Sequence, residues 1–175
     1  YEARHPIGTK ARLALDLLLY TGQRRSDVVK LGPQHERDGG LLLTQQKNQT
    51  RKPVTLWLPI LPQLRTSIDA TPSGHLTYLV TEFGKPYTVD GFGNWFRRMC
   101  RAAGLQGCSA HGLRKAAAAR LAERGASEDL IKAVTGHRTS KEVARYTAGA
   151  RQKVLAVAAM RLIENDPETE RVAPY

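Results

Sequence analysis

Cysteines, aromatics and acids are all scarce in this chain, and each shortage narrows what it can be. Two cysteines, Cys100 and Cys108, cannot supply a disulfide framework, and their spacing fits no metal knuckle and no CxxC motif. They read as reduced thiols of the core, in a reducing compartment. Aromatics are 6% of the residues, and no aromatic-bearing sheet of the kind that stacks RNA bases is evident, which counts against an RNA-binding protein. Apolar runs around 13–20 and 154–160 fall short of the roughly 20 residues a membrane span needs, and no signal peptide is visible, so no membrane partner is expected. The five histidines lack zinc-ligand spacing and no carboxylate cluster suits Mg²⁺, so neither a metal nor another cofactor is expected. His5, His35 and His75 read as loop or surface residues. Acids are outnumbered 16 to 27 by Lys plus Arg, which leaves a formal charge of +11 and points to a polyanionic partner. The 175 residues suffice for one domain with a sizeable core. A first residue of Tyr, followed almost at once by apolar periodicity, reads as a piece of a longer protein.

What is present is mostly helix. Leu15, Leu18 and Leu19 follow helical spacing over 9–20, with Thr9 as N-cap and Gly22 as stop. A short helix over 26–31 starts at Ser26 and ends before Gly32-Pro33. The period then changes. Residues 41–46 and 53–58 read as strands around a polar turn, 47–52, and Gly39-Gly40 reads as a hairpin turn after a short strand near 35–38. Helices are expected over 61–70, 89–103 and 110–124, with 71–87 as loop. Phe92, Trp95, Phe96 and Met99 form a core face on the second of these. Another helix, capped at Ser127, ends at Gly136. A short one from Ser140 holds Tyr146, and a separate amphipathic segment spans 154–164. The fold class is therefore mixed and mainly α, with a small antiparallel sheet of two or three strands. The domain covers 1–165, and 166–175 reads as a flexible C-terminal tail.

Chemistry-bearing residues sit at the breaks in this pattern. Arg24 follows a helix-ending glycine in Thr21-Gly22-Gln23-Arg24, and Lys47 lies on a hairpin turn. In His111-Gly-Leu-Arg114 the His and Arg project from one face of a helix's first turn. His137 follows Gly136 at a helix C-terminus, and Tyr146 comes nine residues later. Each is weak alone, and an isolated His-x-x-Arg is most simply a surface pair. Their order along the chain is specific.

In that order the sequence resembles the catalytic domain of the tyrosine recombinase (phage integrase) family, from about Ala11 to Thr147. Thr-Gly-Gln-Arg24-Arg-Ser-Asp27 is similar to the family's first box, Gln-Gln-Lys47 to its catalytic hairpin, His111-Gly-Leu-Arg114 to its second box, and Thr-Gly136-His137 to its Leu-Gly-His. Tyr146 falls where the nucleophile stands, although Thr-Ala follows it where many relatives have Ala-His. The resemblance implies a site-specific DNA recombinase of bacterial or phage context, cytoplasmic, acting on double-stranded DNA through a covalent 3′-phosphotyrosyl intermediate without metal or ATP. It further implies a homo-oligomer on DNA, in which the 154–164 helix docks on a neighbouring protomer. A helix packed back on its own core is the simple alternative. Relatives carry an N-terminal helical domain for which this chain has no room.

The chemistry suits these residues. Attack on a phosphodiester builds negative charge on the non-bridging oxygens, and Arg24 and Arg114 can meet it bidentately. His111 and His137 can hydrogen-bond the same oxygens or move the tyrosine proton. Lys47 is the expected general acid for the leaving 5′-oxygen. Asp27 orients an arginine or a backbone amide. Arg51, Lys52, Arg97, Arg98, Arg101, Lys115 and Arg120 are candidate phosphate contacts, with solvated helix faces as the plain alternative. The rival readings are a DNA-relaxing topoisomerase of the same chemistry and a basic DNA-binding module without turnover.

Overall fold

A computed structural model of the chain describes residues 1–47 and 52–164. Helix α1 (Lys10–Thr21) runs through the centre. Its N-cap Thr9 accepts a hydrogen bond from the Arg12 amide, and Gly22 stops it in the left-handed region at φ 62°. Leu13, Ala14, Leu17 and Leu18 are fully buried, which a helix surrounded by other elements requires. The short helix α2 (Arg25–Val28) follows, covering one turn where the sequence suggests 26–31, with Arg24 rather than Ser26 at its N-cap position.

The sheet has three antiparallel strands in the order β1 (Glu36–Arg37), β2 (Gly40–Thr44) and β3 (Thr55–Pro59). The first hairpin differs from the sequence reading. Arg37 pairs with Gly40, so Asp38-Gly39 is the turn, with φ of 51° and 76°. Two left-handed residues in succession match the strand twist, and Asp tolerates that region. Position 40, in the strand, is a glycine where a Cβ would meet the Trp57 ring at 2.5 Å.

The remaining elements are α3 (Pro62–Ala70), α4 (Val89–Ala102), α5 (Ala110–Glu123), α6 (Glu128–Thr135) and α7 (Ser140–Glu164). Phe92 and Phe96 bury fully from α4 and Trp95 packs partly against the same core, as the aromatic stripe suggests. The loop before α4 is not wholly external, since Tyr78 and Leu79 are buried. Cys100 is buried, but Cys108 is exposed in the α4–α5 loop and leaves the expected core. A second, smaller cluster joins Ala118, Ala122, Ile131 and Val143 from α5, α6 and α7. Small side chains on α5 let α7 lie close against it.

Helix α7 replaces two expected helices with one of 25 residues. Gly149 is the weak point between them, and a lone glycine costs only about 1 kcal/mol against flanking Ala, Arg, Gln and Lys. Val143 and Thr147 bury its first half, and Arg151 pairs with Glu128 at 2.7 Å. Past that ion pair the helix leaves the body, and it does not fold back on its own core: Leu155, Met160 and Leu162 are 66%, 62% and 78% exposed. Among the described residues no helix is long and apolar enough to cross a membrane. The expected tail, 166–175, lies outside them.

Candidate active site

Three loops converge at one end of α1. The first is the turn Thr21-Gly22-Gln23-Arg24, the second is the end of β2 with Gln45 to Lys47, and the third is the α6 stop at Gly136-His137. Two glycines permit this closeness. Gly22 takes a left-handed φ with Thr135 and Ala117 in contact, and Gly136 does so at φ 69° where a Cβ would lie 2.5 Å from the Gln45 amide.

Arg114 is central. It rises from the first turns of α5 and is 2% exposed, and its Nη1 donates to Gly22 O at 2.8 Å and Thr135 O at 2.6 Å. Its Nη2 is buried without an acceptor among the described residues. A buried donor left open in this way is suited to an incoming phosphate oxygen. Burial, and then the charge of Arg24, push the Arg114 guanidinium down to about 10, so it stays cationic at neutral pH. Arg24 is half-buried, and its Nη1 donates to Gln45 Oε1 at 3.2 Å.

His111 and Arg114 differ in burial although i,i+3 spacing puts them on one face. His111 is exposed on the first turn of α5 while Arg114 turns into the body. The histidine still feels the cluster, since partial burial and the charges of Lys115, Arg114 and Arg24 hold its pKa below the usual value. His137 is 8% exposed, and burial with the Arg114 charge brings its pKa to about 4. The imidazole is therefore neutral at pH 7. The Thr135 hydroxyl donates to Ile131 O at 2.7 Å and lies 2.8 Å from His137 Nδ1. With its proton committed, the hydroxyl accepts from the ring, which assigns the proton to Nδ1 and a lone pair to Nε2. The Tyr146 ring stands 5.8 Å from the His137 ring, centroid to centroid. Tyr146 is half-buried one turn after Val143 pins α7 to α5.

Lys47 is exposed at the edge of the described residues and lines a cavity of about 30 Å³ with Arg24, Gln45, Val54, Gly136, Arg138 and Glu142. Asp27 is buried and accepts from the Gln46 amide at 2.7 Å, so it holds the strand end that presents Lys47 and bonds no arginine among the described residues. Lys115 is exposed on α5, with its Nζ 5.5 Å from the centroid of the Tyr146 ring, within cation–π range. Arg97, Arg98, Arg101, Arg120 and Lys52 are exposed on the surface, and Arg51 lies outside the described residues. No group of three His, Cys, Asp or Glu side chains among the described residues could hold a metal.

Sequence reasoning missed Gln23, Gln45, Arg138 and Glu142. Gln45 and Gln23 are buried polar residues with no pattern to mark them. Glu142 had a signal, since Thr139-Ser-Lys-Glu142 is a capping-box sequence. The Glu142 amide donates to Thr139 Oγ1 at 3.3 Å, and its carboxylate accepts from the Arg138 amide at 3.1 Å.

Fold and site together define a helical domain with a small sheet, a cavity lined by cations, and a tyrosine ring close to a buried histidine. The chain matches the Phage integrase family over residues 1–153, and it belongs to that family. Among solved structures it is similar to a lambda integrase dimer bound to a COC′ core site, at 23% identity and a TM-score of 0.65, covering 83% of this chain and 54% of that one. It is also similar to XerA recombinase, at 14% identity and a TM-score of 0.65 over 95% and 64%, and to the lambda integrase catalytic core, at 24% and 0.60 over 78% and 85%. At these identities the likeness is one of fold. The chain spans about half the length of the DNA-bound lambda integrase structures. No curated protein matches it.

Proposed function

We propose that this chain is the catalytic domain of a tyrosine-type site-specific DNA recombinase. One observation carries the reading: Arg24 and Lys47 line one small cavity with Gly136, Arg114 bonds the carbonyls of Gly22 and Thr135 beside it, and the Tyr146 ring lies 5.8 Å from the His137 ring. The Tyr146 hydroxyl attacks a DNA phosphorus, forming the tyrosyl O–P bond as the P–O5′ bond breaks. Neutral His137, with its Nε2 lone pair, takes the tyrosine proton. Lys47 gives a proton to the departing 5′-oxygen. Arg24 and Arg114 hold the charge on the non-bridging oxygens, and His111 adds a hydrogen bond from the outer edge. Attack by a free 5′-hydroxyl reverses every step. One phosphodiester replaces another, so no ATP is needed.

The exposed basic residues, Lys52, Arg97, Arg98, Arg101 and Arg120 among them, suit double-stranded DNA along its phosphates, with Arg51 assigned from sequence only. The bare apolar end of α7 suits a second copy of this chain, as in the lambda integrase dimer and tetramer on DNA. A bacterial or phage cytoplasm is the setting such a recombinase implies.

The test is a nicked DNA suicide substrate, read as a covalent adduct on a denaturing gel. Wild type forms the adduct and Tyr146→Phe does not. An undiminished adduct with Y146F sinks the mechanism. No adduct from wild type favours a binding module without turnover, and relaxation of supercoiled DNA without strand exchange favours a topoisomerase.

A further inference from the structure

Both arginines are held by neutral oxygens, with the charges of Asp27 and Glu142 reaching Arg114 only from farther away. Arg114 is held by two backbone carbonyls and Arg24 by the side-chain oxygen of Gln45. Among the described residues neither makes an ion pair. A carboxylate is the usual partner for a half-buried guanidinium, and it would consume the charge that the phosphate needs.

Gln45 is built for more than a surface contact. It is 2% exposed, directly before the segment that presents Lys47. Its Nε2 donates to Gln23 Oε1 at 2.6 Å and to Thr135 O at 2.9 Å. Gln23 in turn donates to Thr21 O at 2.9 Å and Val134 O at 2.8 Å. Thr135 O is also the carbonyl that Arg114 uses, and Gly136 leaves room for nothing but this amide. One side chain therefore joins the arginine turn, the lysine strand and the histidine loop.

We propose that Gln45 is a positioning residue whose neutrality is its function: it fixes Arg24 on the phosphate while leaving the guanidinium charge unspent. The proposal rests on the strand-transfer reading above. Two variants of the full chain separate it from a merely structural role. Gln45→Glu and Gln45→Met both lose the donations to Gln23 and Thr135, and they differ in what meets Arg24. The carboxylate still holds the guanidinium but neutralises it, while the thioether releases it.

The first measurement is inorganic phosphate binding, followed by NMR at the pocket. The second is the single-turnover rate of adduct formation at saturating DNA. Q45E is expected to weaken phosphate about tenfold and to slow adduct formation a hundredfold or more, with DNA affinity close to wild type. Q45M is expected to lose about tenfold in rate and to bind phosphate better than Q45E. If Q45E matches wild type, or is no worse than Q45M in phosphate binding, the neutral-clamp assignment is overturned. Should Q45E not fold, Q45M decides: full single-turnover rate in that variant overturns the proposal. The phosphate measurement needs no turnover. A wild type that binds phosphate in the pocket but forms no adduct would fail the recombinase reading and leave Gln45 still tested.

Discussion

Glu142 supplies an acidic side chain to the cavity shared by Arg24, Lys47 and Arg138. Burial opposes its ionisation, but the Arg138 and Thr139 amides and the Lys47 charge outweigh it and hold the carboxyl below its ordinary range. It caps α7 and also places a negative charge in the cavity to which the proposed mechanism brings a phosphate. Glu142→Gln keeps a capping-box residue and removes the charge. The variant should bind a random DNA duplex several-fold more tightly at low salt, by fluorescence anisotropy, with the gain shrinking as salt rises. Equal affinities would make Glu142 a cap alone. His137 sets a second residue-scale expectation. Its folded pKa, about 4, lies below the unfolded value near 6.5, so the unfolded chain binds the proton first. Its contribution is fully present above the unfolded pKa and is lost as pH falls from there toward the folded one. Between about pH 7.5 and about pH 5 wild type should lose on the order of 2 kcal/mol more than His137→Gln in urea unfolding. Parallel pH profiles would show that burial does not disfavour the charged ring.

Gly136 decides at the scale of elements whether the third loop can close. Alanine there meets both a left-handed φ and the Gln45 amide at 2.5 Å. Gly136→Ala should cost roughly 1–3 kcal/mol in chemical denaturation and reduce adduct formation more than stability alone explains. A variant as stable and active as wild type would mean that the loop has slack. The same element shows what could be read from sequence. Gly22, Gly125 and Gly136 mark helix stops by their conformation, so the loops bearing Arg24 and His137 were legible. The family order of residues then pointed to Tyr146. Gln45 was not legible, because a polar residue closing a strand reads as a solvent face until the partner loops are known. The nearness of Lys115 to Tyr146 was not legible for a similar reason: its helix face was visible, but the ring beneath it belongs to α7. The Asp38-Gly39 turn was missed by one register, since Gly39-Gly40 offers an equally plausible dipeptide and only the pairing of Arg37 with Gly40 distinguishes them.

At the scale of the whole molecule, the charge of +11 and the bare end of α7 act in different ways. Charge draws DNA without selecting an arrangement of protein copies. The end of α7 can select one. Val157, Met160 and Leu162 are exposed by 47%, 62% and 78% on a helix that the body does not cover, beside a cavity of about 320 Å³ lined by Ala122, Ala126, Val154 and Leu155. An apolar surface of this kind, flanked in sequence by Lys153 and Glu164, suits the contact with a second copy proposed above. Met160→Glu combined with Leu162→Glu should therefore leave the thermal midpoint of the monomer within about a degree, because these side chains touch little of their own fold. The pair should abolish concentration-dependent association in sedimentation velocity and lower strand exchange, while single-site adduct formation continues. A fall in the monomer's midpoint, or undisturbed association, would assign the end of α7 to the chain's own stability and place the contact between copies elsewhere on the surface.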